Sequence, residues 1–195
     1  MDIKASIALL VFALVAGGCG SDKSAETTGV AATATTPSSE EDDTAPASAS
    51  TAGAEITIGA AVEQYTRIVA PANCAVDHLN AALDSSTTGS EAMKVVVPLY
   101  RAAGRAFGQL ANDLRAAQWP ADVSNEIETL ADASTKASLA MRSAANAHSV
   151  DEQHAIVKSD NFINTMNAVD SSADIVRQKL GLDSTFGDPD FCAIA

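Results

Sequence analysis

From about residue 55 onward, apolar side chains recur in alternating steps of four and three. The first run is Ile58, Val62, Tyr65, Val69, Ala72, Val76, Leu79 and Leu83. A second repeats the rhythm through Met93, Val97, Tyr100, Gly104, Phe107, Ala111 and Leu114. Val123, Ile127, Leu130, Ser134, Ala137, Met141 and Ala144 make a third, and Phe162, Met166, Val169, Ala173, Val176 and Leu180 a fourth. A 3.5-residue recurrence lays a stripe along one side of a helix, and such stripes are buried against one another. No stretch shows the period-two alternation of a half-buried strand. The pattern therefore predicts an all-α domain over residues 55–195, an antiparallel up-down four-helix bundle with helices of roughly 25–30 residues.

The breaks between the runs carry stop and start chemistry. Polar residues 84–89 separate the first two, and Thr88 with Glu91 has capping-box spacing. Trp119-Pro120 divides the second from the third, with Pro120 suited to a first helical position. Ser149 with Glu152 predicts a capped start for the fourth helix, and Gly181 its end. Pro71 and Pro98 fall inside the pattern. Each removes a backbone donor from the carbonyl four residues earlier, which reads either as a bend in a continuous helix or as a fresh helix start. Many seam positions hold Ala or Ser, which favours close helix approach and little internal space.

The N-terminal third follows different rules. Lys4 precedes an apolar run over residues 5–16, and Ala16-Gly17-Gly18 sets small side chains directly before Cys19. The run is too short for a spanning helix of about 18–20 residues, and a small-residue cleavage site follows it. Residues 1–18 thus read as a lipoprotein signal peptide and Cys19 as the acylated N-terminus of the mature chain; an ordinary export signal cut elsewhere, or an uncleaved anchor, is the alternative. Two or three acyl chains, at ~0.8 kcal/mol per buried methylene, hold a protein at a bilayer durably. Residues 19–54 are almost wholly Ser, Thr, Ala, Gly, Pro, Asp and Glu, with Val30 the one larger aliphatic residue. Such a composition predicts a disordered linker, with a mean reach of about 33 Å.

Charge narrows the partners. The chain carries 25 acidic and 12 basic residues, a formal net charge of −13. An acidic surface is a poor phosphate-backbone binder, so nucleic acid is not an expected partner. Lys94, Arg101 and Arg105 share one side of the second helix and make its basic excess. They read either as a face for an anionic partner or as ion-pair partners of Glu63, Asp77 or Glu126.

Cys19 apart, Cys74 and Cys192 are the only cysteines. Two thiols exported together into an oxidising compartment pair more often than not. In an up-down bundle the last helix ends near where the first begins, Cys74 lies ~21 Å along that first helix, and the intervening tail spans up to about 33–36 Å. A Cys74–Cys192 disulfide is expected, a reactive thiol or metal ligand being the alternative. Cys74 and His78, four apart on one helical face, have metal-ligand spacing, and Asp151 with His154 has carboxylate-x-x-His spacing. The sequence places no further ligands beside either pair, and His148 and His154 fit a solvated helix junction. No nucleophile-elbow, phosphate-loop or haem-attachment motif is present, so neither a cofactor nor an enzyme is expected.

The segment Ala16-Gly17-Gly18-Cys19 resembles the lipobox of bacterial lipoproteins. Together with the Thr/Ala/Pro spacer, the run AVEQYTRIVAPAN at 61–73 and Trp119-Pro120 before an acidic helix, it resembles small uncharacterised lipoproteins of actinobacteria, mycobacteria among them. The resemblance implies an envelope location and a helical domain, and brings no active site with it. The expected function is a membrane-anchored, extracytoplasmic, non-enzymatic module that binds an envelope protein or other envelope component. The rival is a carrier of a small ligand, lipid or metal in a cleft beside Pro71 and Pro98.

Overall fold

A computed structural model describes residues 56–85, 90–182 and 191–195. The expected signal peptide, Cys19, the linker and the Thr88 cap lie outside the described residues. Those described form a helical bundle of six helices with no strand. They are α1 (Ile58–Ser85), α2 (Ser90–Ala116), α3 (Ser124–Ala145), α4 (Val150–Val157), α5 (Asp160–Lys179) and α6 (Phe191–Ile194). Helix α3 packs on both α2 and α5, α1 packs on α2, and the short α6 lies against α1. No helix among the described residues is long and apolar enough to cross a membrane.

The core follows the seams, with a widening. Every seam residue of α3 and its turn is buried, as is every one of the fourth run, while Ile58, first on its seam, is exposed. In α2 the buried face also takes Val96, Ala103 and Leu110, spaced seven apart, whereas Met93 and Val97 are only half-buried. A helix with neighbours on two sides buries a broader stripe than a coiled-coil seam does. Where α2 meets α3 the residues are small. Ser138 Oγ donates to the Gly104 carbonyl at 2.5 Å, and a Cβ on Gly104 would stand 3.2 Å from the Ser138 carbonyl. The hydroxyl thereby fills a gap that a larger pair would hold open. At the other end of this interface Arg115 fans onto Glu128 (2.8 Å) and Asp132 (2.5 Å).

Local details depart from expectation in two places. Pro120 is not the first residue of a helix: it opens a turn, and its carbonyl accepts from the Val123 and Ser124 amides (3.0 and 3.2 Å) before α3 begins. The fourth run is not one helix from Ser149. Ser149 does cap α4, accepting from the Glu152 amide at 3.1 Å, but Glu152 Oε2 accepts from the His148 amide, one residue ahead of the cap. Ser159, in extended conformation, then starts α5 by accepting from the Phe162 amide. Ser-Asp-Asn at 159–161 is itself a helix-start sequence, and it outcompetes continuation. Of the two readings of Pro71 and Pro98, the continuous helix is the one found: both sit inside a helix, at exposed positions. Gly181 ends α5 as expected. Its φ is +72°, and Leu182 N–H bonds the Arg177 carbonyl while Gly181 N–H bonds that of Gln178, tucking Leu182 into the core.

Candidate functional site

Cys74 and Cys192 form a disulfide, with their Cα atoms 4.8 Å apart and a separation of 118 positions in sequence. Cys74 is half-buried on the flank of α1, beside the seam rather than on it, and Cys192 is exposed in α6. One turn beyond Cys74 on the same face, His78 brings Nε2 to 4.0 Å from Cys74 Sγ and 3.7 Å from Cys192 Sγ. Helical spacing explains the first contact. The second exists because the disulfide draws the chain end across α1. Among the described residues these three are the one group of Cys, His and carboxylate side chains close enough to share a metal ion. Asp151 and His154 sit on α4, Asp151 exposed and His154 half-buried, and His148 is exposed just ahead of it.

The residue preceding Cys192 has a separate task. Phe191, together with Leu182, closes one side of a cavity of about 40 Å³ whose walls are Tyr65, Val69 and Asn73 of α1 and Val169, Ala173 and Arg177 of α5. Phe107 and Leu130 form its floor. Its lining comes mainly from α1 and α5, and neither Pro71 nor Pro98, beside which the carrier alternative set its cleft, is part of it. Arg177 reaches it along α5 and pairs with Asp174 one turn back.

Two groups near this wall are held away from their ordinary titration range. Burial pushes the Tyr65 phenol up to about 12, with Arg177 pulling it down and Asp174 adding to the rise. Asp170 is pushed up to about 6, first by burial and then by the negative charge of Asp174, against the opposing pull of Arg177. Tyr100, in the core of α2, rises to about 12 through burial. Both phenols are therefore neutral packing groups near pH 7.

On α2, Lys94 pairs with Glu91, three residues earlier on the same helix, at 2.7 Å between two exposed side chains. It does not reach Glu63, Asp77 or Glu126; Glu126 instead pairs with Lys179. Arg101 and Arg105 are exposed and, among the described residues, make no ion pair. Arg142 of α3 lies over the adjoining glycines, its Nη2 3.7 Å from where a Gly108 Cβ would be. Sequence reasoning did not place Arg142 there. The Gly104–Gly108 pair, four apart and next to Arg101 and Arg105, was the available signal that a neighbouring helix would come close. The chain matches no family model, no curated protein and no solved structure.

Proposed function

We propose that this chain is an extracytoplasmic lipoprotein, held to the cell membrane through acylated Cys19, whose helical domain binds an envelope partner and performs no catalysis. The domain is read as an up-down four-helix bundle formed by α1, α2, α3 and α5. Supporting that topology, Gln64 near the start of α1 bonds the Gln118 carbonyl after α2, and Lys179 at the end of α5 reaches the Asp122 carbonyl before α3. The observation that carries the functional reading is the small size of the cavity found among the described residues. The cavity of about 40 Å³ is enough for two or three waters, whereas ligand sites run to about 300–1,000 Å³. Recognition is then left to the surface, where Arg101, Arg105 and Arg142 stand out on an otherwise acidic chain.

The alternative, a small-ligand carrier, draws on the same cavity, because Phe191 and Leu182 are the parts of its wall that lie outside the long helices. Native mass spectrometry of the whole chain, released from its own envelope, separates the two. A stoichiometric protein partner that is lost in the double substitution Arg101→Glu/Arg105→Glu supports the first reading. A bound small molecule supports the second, and a bare chain contradicts both.

A further inference from the structure

We infer that Cys74, Cys192 and His78 form a zinc-type metal site when the disulfide is reduced. Two thiolates and an imidazole are the donor set a borderline-soft divalent ion prefers, and three protein ligands leave a fourth position for water. In a tetrahedral site, with metal–sulfur bonds of about 2.3 Å and metal–nitrogen bonds of about 2.0–2.1 Å, a sulfur and a nitrogen ligand stand roughly 3.6 Å apart. His78 Nε2 already lies 3.7 Å and 4.0 Å from the two sulfurs, and all three donor atoms fall within 4.8 Å of one another. Little rearrangement of α1 is needed, because Cys74 and His78 share one face of a continuous helix. The movement falls on Cys192, in a four-residue helix at the chain end. Cys192 and His78 are exposed, so an ion has a path in.

A dithiol reductant gives two electrons and two protons to the Cys74–Cys192 bond, yielding two thiols and the reductant's own disulfide. The metal ion then displaces both thiol protons and takes the His78 lone pair. Oxidation and metal binding exclude each other, since one sulfur pair serves both. In either state the C-terminal helix stays fastened to α1, by a covalent bond or by coordination.

The test uses the full chain, free of any histidine tag, with Cys19→Ala so that two thiols remain. After anaerobic reduction, Co²⁺ is titrated as a spectroscopic probe and then displaced by Zn²⁺, with circular dichroism followed throughout. The expected result is one ion per chain, thiolate-to-cobalt charge transfer with tetrahedral absorption, and no binding to the oxidised protein. Cys192→Ser abolishes stoichiometric binding, and His78→Ala weakens it by roughly tenfold or more, as loss of one of three ligands requires. Cobalt binding without thiolate bands, affinity unchanged in His78→Ala, failure of the reduced chain to bind, or binding by a chain that has lost its helical signal would each overturn the site.

Discussion

At the scale of single residues, two glycines and one carboxylate show how packing sets energy. A methyl on Gly104 would meet the Ser138 carbonyl at 3.2 Å and Arg142 Cγ at 3.1 Å, so backbone must move. A methyl on Gly108 meets the Ser138 hydroxyl oxygen at 3.1 Å and only side-chain atoms beyond it, so a shift of a few tenths of an ångström in a side chain, with no backbone in the way, makes room. Gly104→Ala is expected to cost about 1–3 kcal/mol through overpacking. Gly108→Ala should change stability by less than about 1 kcal/mol, because helix propensity offsets the crowding. Urea unfolding of both variants checks the ordering; equal effects would contradict the close helix contact. Asp170 bears on pH. Its folded-state value of about 6 lies above the ordinary 3.8, so the protonated form is favoured by folding. Its contribution is fully present below about pH 4 and is lost as pH rises through 6. Asp170→Asn should therefore stabilise the protein at pH 7–8 by about 1 kcal/mol, the partly exposed site being screened by solvent. The variant's melting temperature should also flatten between pH 4 and 6.

At the scale of elements, helix boundaries were legible wherever local chemistry decides them and illegible where two signals compete. Ser149 and Gly181 act at the ends their residue types predict. The split at Ser159 was hidden because the apolar rhythm, carried by Phe162, Met166 and Val169, belongs wholly to α5. Asp151 and Glu152 gave α4 a start signal, but its eight residues supply only Gln153 and Val157 to the interior. Periodicity could not mark where one helix stopped. Pro120 misled for a similar reason: a proline fits a first helical turn and a preceding turn equally well, and Ser124 Oγ bonding to its carbonyl belongs to the latter. Removing the α5 cap with Ser159→Ala should cost about 1 kcal/mol. That corresponds to a fall in melting temperature of ~3–5 °C for a domain of this size. An unchanged melting curve would mean that α4 and α5 run on without a break in solution.

For the whole molecule, the core, the disulfide and the Cys74–His78 pair were readable from the sequence, whereas the cavity and the approach of Cys192 to His78 were not. Apolar stripes and cysteine count are one-dimensional signals. By contrast, whether Asn73 of α1 and Arg177 of α5 line one cavity depends on how far apart two helices settle. The disulfide joins positions 118 apart in sequence, closing a loop that holds the second half of α1 and all of α2, α3 and α5. Cys192→Ser should lower stability by up to about 4–5 kcal/mol in the chain-entropy account, and denaturant midpoints of the oxidised and reduced chains would show it. A difference below ~1 kcal/mol would mean that the tail contributes only local order. The proposed life of the protein outside the membrane rests on the same cysteines: one to carry lipid, two to pair. Intact-mass spectrometry of the chain isolated from its native membrane tests all three at once. The account predicts loss of residues 1–18, acyl mass on Cys19, and two hydrogens fewer than a fully reduced chain. A chain that retains Met1, or one with an unmodified Cys19 and two free thiols, would contradict it.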